Sequence, residues 1–208
     1  MAIAGTETSR APIQDLRFKA AGFLSLLNTV LNLPLIIIGL DDALKMKAGL
    51  LFFIQLPLAV ITIFISIYVI LQLKRLLHER YDIRNMNSIL TALIFCHILF
   101  WGKSIVMVFM VLFFPDPNII LPLDSISGVF IILMAGIVGL ILGTSLLRIT
   151  DESSGLLRTY AKLSKNGSIC ILTVILIPIG MIIGLANNIV LGMLLLKEAE
   201  TEPQVDFV

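Results

Sequence analysis

The stretch "CHILFWGKS", Cys96 to Ser104, gathers a thiol, an imidazole, an indole and an amine within nine residues of an apolar run. Those groups could serve a Cys–His nucleophile, a metal or haem ligand, or a phosphate-binding lysine. Helical geometry separates them. At about 100° per residue, Cys96 and Lys103 fall on one face, while His97, Trp101 and Ser104 share another, about 120° away. Adjacent Cys96 and His97 also diverge, which argues against a nucleophile–base pair. The "GKS" triplet is preceded by His97 where a phosphate loop requires glycine, so no nucleotide motif is read there. A haem bundle needs more axial ligands than His97 and His78 supply. His97, with Trp101 beside it, is expected to make an interhelical hydrogen bond.

The element that carries these residues must first be explained. Of 208 residues, 58% are hydrophobic and 14% are charged, against roughly 25% charged in a soluble domain. The fold class expected is an all-α integral membrane protein. A net charge of +1 points to no nucleic acid. Five apolar runs approach or exceed the roughly 20 residues that a helix needs to cross lipid, at about 20–40, 49–73, 88–114, 123–147 and 168–196. Backbone groups in lipid must be satisfied within each segment, so helices are expected despite the Val, Ile and Phe content. Residues 1–19 are expected to form a cytoplasmic segment, 20–196 one membrane domain, and 197–208 a disordered acidic tail.

Lysine and arginine placement sets the expected orientation. One side receives eleven: Arg10, Arg17, Lys19, Lys74, Arg75, Arg80, Arg84, Arg148, Arg158, Lys162 and Lys165. The other receives three: Lys45, Lys47 and Lys197. Five spans then place the N-terminus in the cytoplasm and the C-terminus outside, with a prokaryotic cytoplasmic membrane as the expected location. The loop "DESSGLLRTYAKLSKNG" places Leu156, Leu157, Tyr160 and Ala161 at helical spacing, with Arg158, Lys162 and Lys165 turned away. It is expected to lie as an amphipathic helix on anionic headgroups.

Lipid supplies no hydrophobic drive for helix association, so small residues mark contacts. Ala135, Gly139 and Gly143 form one stripe and Gly180, Gly184 and Gly192 another, expected to meet each other or a second subunit. Pro34, Pro57 and Pro178 are expected to kink three spans. Cys96 and Cys170, both in apolar runs, are read as small hydrophobes.

Depth counting at 1.5 Å per residue puts Lys103 about 22 Å from the inner end of its span. Asn32, Gln55, Asn187 and Asn188 fall in the same outer-half layer. Every carboxylate is assigned to a loop or tail, the nearest being Asp116 and Asp124. Lys103 is therefore expected to snorkel, to sit among those amides, or to pair with an acid from another subunit, lipid or ligand. No GxSG, CxxC or HExxH motif and no paired aspartates are present, so the chain is not expected to be an enzyme or to hold a cofactor or metal. The first functional expectation is a non-catalytic subunit or partner-binding component of a membrane complex, its partner another chain or a second copy. The alternative is a small transporter or channel component with a polar site around Lys103.

Overall fold

The computed structural model describes residues 11–45, 51–113, 117–150, 155–173 and 175–200. Within them the structure is all-helical: α1 (Ala11–Lys45), α2 (Leu51–Glu79), α3 (Asn87–Phe113), α4 (Pro117–Ile149), α5 (Gly155–Leu172) and α6 (Ile177–Glu200). Each helix packs on its chain neighbours, and α6 returns to α1, so the six form a closed ring in chain order.

Three segments are long and apolar enough to cross a membrane: Pro57–Glu79, Pro122–Ile149 and Ile177–Glu200. Asn87–Phe100 is a shorter apolar helix. Side chains such as Phe64, Ile126, Phe130 and Ile182 stand 63–71% exposed. An outer surface of that kind suits lipid, and these helices are compatible with a membrane location.

The boundaries differ from the sequence expectation in three places. Helix α4 starts at Pro117, six residues ahead of the expected span, because a proline at the first helical position loses no hydrogen bond there. Residues 168–196 are two helices rather than one span. Helix α5 takes the first five and ends at Leu172, turn residues stand at 173 and 175–176, and α6 starts at Ile177 with Pro178 as its second residue. Pro178 therefore opens a helix instead of kinking one, whereas Pro34 and Pro57 do lie inside helices. The third difference concerns the expected surface helix, which is the N-terminal part of α5. Its Leu157, Tyr160 and Ala161 are buried against protein. Arg158 and Lys165 are half-buried and Lys162 is exposed.

Close approach of backbones explains that burial. A Cβ on Gly143 would lie 2.5 Å from the Lys165 nitrogen and 2.8 Å from the Ala161 carbonyl oxygen. One on Gly139 would run into the Ser168 hydroxyl, and one on Gly136 would meet Leu172. The ascending order 136, 139, 143 against the descending order 172, 168, 165 makes α4 and α5 antiparallel. Gly180 packs on Gly167 and Ile171 of α5, and Gly192 on Gly22 and Leu26 of α1. The two glycine stripes thus never meet each other: α5 fills the first, and α5 and α1 share the second. Gly184 faces open space.

Helix α6 runs antiparallel to α1, since Gly22 meets Leu196 while Ser25 meets Asn188. Its last turn reaches the turn between α2 and α3, where Asp82 adopts φ 48°, a conformation aspartate tolerates. There Arg80 Nη2 donates to the Glu198 carbonyl oxygen at 3.0 Å, and the Tyr81 hydroxyl donates to Glu198 Oε1 at 2.9 Å. Residues 80–84 and Glu198 therefore lie at one end of the bundle, although the sequence expectation put them on opposite sides of a membrane. Residues 197–200 continue α6, and the rest of the acidic tail, 201–208, lies outside the described residues.

Candidate functional site

At that same end the ring is filled. Leu73, Leu76, Leu77, Met86, Leu90, Leu146, Leu157, Leu194 and Leu195 are each no more than 2% exposed and form a continuous core. Next to Leu142 and Leu191 the packing of the six helices opens. They enclose a cavity of about 430 Å³, lined by residues from all six helices, within the range of about 300–1,000 Å³ typical of small-molecule sites.

The polar wall of the cavity is built mainly by α1 and α6. Ser25 Oγ donates to the Asn188 carbonyl oxygen at 2.8 Å, and Asn32 Nδ2 donates to the Asn28 carbonyl oxygen at 2.7 Å. Asn28 Nδ2 reaches across to Ser66 Oγ of α2 at 3.1 Å. The side chain of Asn187 is hydrogen bonded to Tyr160 of α5. Ser164, also on α5, donates to the Gly139 carbonyl oxygen of α4 at 3.2 Å. The facing wall, from α3 and α4, is mostly apolar, with Leu93, Cys96, Phe100, Ile132 and Ala135. No Asp, Glu, Lys or Arg is among the described lining residues.

Three polar groups on the helices around the cavity keep acceptors without a hydrogen-bond partner. Asn28 is 5% exposed, yet its Oδ1 has no hydrogen-bond partner. Asn187 Oδ1 is likewise unpartnered. His97 places Nδ1 2.9 Å from the Leu93 carbonyl oxygen, one turn back on its own helix rather than on another helix as expected. A carbonyl oxygen can only accept, so Nδ1 carries hydrogen, and the neutral ring then leaves Nε2 as an acceptor. An unmade hydrogen bond on a buried amide costs about 1–3 kcal/mol, and both amide oxygens are closed off from the cavity as well as unpartnered.

The expected polar layer is only partly assembled. Asn32, Asn187 and Asn188 line the cavity together with His97. The side chains of Gln55, Trp101 and Ser104 lie outside the described set. Lys103 is not a lining residue. Its Nζ lies 2.8 Å from Asp124 Oδ1 and 2.9 Å from the Asp124 carbonyl oxygen, on α4. The sequence expectation leaves Lys103 without a carboxylate partner in its own chain, whereas Asp124 is one. Packing of α4 on α3 is the reason: Asp124, two turns into α4, comes within reach of the lysine stem. Gly128, one turn on, leaves the space that the ammonium fills, with Nζ 2.8 Å from where its Cβ would be.

Sequence reasoning missed Ser25, Asn28, Ser66, Tyr160, Ser164 and Ser168 as lining residues. The signal was present on α1, where Ser25, Asn28 and Asn32 recur at helical spacing on one face. Tyr160 and Ser164 were hidden by assigning their helix to the membrane surface.

Comparison with known proteins returns no match: no protein-family model, no curated protein and no solved structure is similar to this chain.

Proposed function

We propose that the protein is a small membrane transporter or carrier component that holds its ligand in the central cavity of the helix ring. The observation that carries this reading is a cavity walled by all six helices, polar on one side, and closed at one end by a leucine core. Sites of carriers commonly lie at mid-membrane between helices, where unpaired polar groups meet substrate. A central cavity closed at one end by a packed core is the geometry expected of one state of an alternating-access cycle.

The proposed orientation puts both ends of the chain in the cytoplasm. With Glu198 beside Arg80 and Tyr81, Lys197 joins the eleven basic residues on the N-terminal side and leaves only Lys45 and Lys47 opposite. The positive-inside bias becomes steeper than in the five-span reading. A fluorescent protein fused after Val208 is expected to mature in the cytoplasm, and a periplasmic or extracellular signal from that fusion would reverse the assignment.

Accessibility tests the cavity itself. In a chain with Cys96→Ser and Cys170→Ser, a cysteine at Asn32 is expected to react with an impermeant thiol reagent added outside intact cells. One at Leu77 in the core is expected to stay unlabelled. Equal labelling of the two positions, or no labelling of the first even after permeabilisation, removes the carrier reading. The subunit reading loses part of its motivation, because most of the glycine surface that suggested a partner is covered by this chain's own helices.

A further inference from the structure

We propose that the outward face of α5 binds an anionic phospholipid of the cytoplasmic leaflet, with its phosphate on Lys162 and Lys165 and an acyl chain along Ile169. The site lies on the outer surface of the ring and does not depend on the carrier reading. It takes from the proposed orientation only which leaflet it faces. Along α5, Arg158, Lys162, Lys165 and Ile169 recur at intervals of four, three and four, which places them on one face within about 60°. The rest of the helix, with Leu157, Tyr160, Ala161 and Ser168, is buried in the ring. Lys162 and Ile169 stand exposed, and Lys165 is half-buried. No carboxylate among the described residues pairs with the ammonium of Lys162 or Lys165.

Depth fixes which part of a lipid meets which residue. Lys165 packs beside Gly143 of α4, whose membrane-length segment ends at Ile149. Six residues of helix put it about 9 Å inside that end, a distance that a lysine stem largely recovers by turning toward the headgroups. Lys162, three residues nearer the start of α5, lies about 5 Å shallower. Two ammonium groups therefore converge on the inner boundary, where the phosphates of that leaflet lie and attract them. Beyond them the same face turns apolar at Ile169, 43% exposed. Cationic residues first and an apolar residue deeper is the order that a phospholipid presents, head at the surface and chain toward the midplane. A free phosphate would leave Ile169 unused, and an acidic partner helix would have to carry carboxylates into lipid, where they are costly. Among the described residues α5 is not one of the segments apolar enough to cross the membrane, so its outward face gains from a polar neighbour that the other helices do not need. The lysines meet headgroups from a helix held upright in the ring rather than from one lying flat.

Native mass spectrometry of the full chain in a neutral detergent, titrated with dioleoyl phosphatidylglycerol or dioleoyl phosphatidylcholine, tests the site. The first phosphatidylglycerol is expected to bind about tenfold more tightly than the first phosphatidylcholine. Lys162→Gln and Lys165→Gln are each expected to weaken phosphatidylglycerol about fivefold and to leave phosphatidylcholine unchanged. Lys162→Arg keeps the charge and is expected to keep the affinity. Lys74→Gln removes the same charge from α2, across the ring from α5, and is expected to change neither lipid. Equal affinity for the two lipids, or an equal loss in Lys74→Gln, overturns the inference, because general positive charge at the inner surface would then account for binding. A loss in Lys162→Arg as large as in Lys162→Gln overturns it as well. Displacement of phosphatidylglycerol by millimolar inorganic phosphate assigns a site for the phosphate alone, and a polypeptide held in place of lipid and released by Lys162→Gln assigns an acidic partner; either result overturns the lipid. None of these outcomes bears on the cavity, whose test is the cysteine labelling above.

Discussion

Lys103 and Asp124 meet at 2.8 Å with the lysine side chain 17% exposed and the aspartate 49% exposed. Neither residue is costly while the other is present, but removing one leaves a charge facing an apolar surround. Lys103→Met is therefore expected to lower the thermal midpoint in detergent more than the double variant Lys103→Met with Asp124→Asn does. A coupling of about 1 kcal/mol is the scale for a pair this open. Additive losses in the double variant would mean that the contact carries no energy. At the turn between α2 and α3, burial first, and then the Glu198 carboxylate that accepts its hydrogen, hold the Tyr81 phenol well above its ordinary value of 10.0. A raised pKa in the folded state means that the native form keeps its proton when the unfolded chain has lost it. The Tyr81 contribution is complete below about pH 10 and fades as pH climbs beyond that. Thermal midpoints measured between pH 9 and 12 should fall more steeply for the native chain than for Tyr81→Phe, and parallel curves would show that Tyr81 does not dock there.

Glycines separate helices that touch from helices that do not. Gly143→Ala places a methyl against the backbone of α5, where nothing flexible can yield. It is expected to cost about 1–3 kcal/mol as overpacking. Gly184→Ala meets nothing within 4 Å and replaces a poor helix former, so it is expected to gain about 0.5–1 kcal/mol. Thermal unfolding of the two variants reads the contrast directly, and a loss at Gly184 would place an unseen neighbour there. The same residues show what the sequence could tell. Small residues at intervals of four announced contact surfaces, and apolar runs announced helices. Which helix fills a glycine stripe depends on chain path, and Ala135, Gly139 and Gly143 look alike whether α5 or α6 packs on them. The separation of α5 from α6 was equally silent, because "TVIL" is as apolar as its flanks and only the position of Pro178 hinted at a new start.

As a whole molecule the ring joins two unlike halves. The end with Arg80, Tyr81 and Glu198 is solid with leucine, and the other half surrounds a void with asparagine and serine on one side. Sequence hydropathy describes both halves equally well, since it counts residues that face lipid and residues that face a cavity in the same way. Asn28 and Tyr160 became legible only when the ring brought their helices together, across a separation that no local window spans. Unequal filling also has a mechanical meaning. Voids are what hydrostatic pressure removes, so the filled half should be nearly incompressible while the hollow half yields. Pressure applied to the empty protein should therefore draw α3 inward against the α1–α6 wall long before the leucine core responds, and an occupant of the cavity should stiffen the whole barrel of helices.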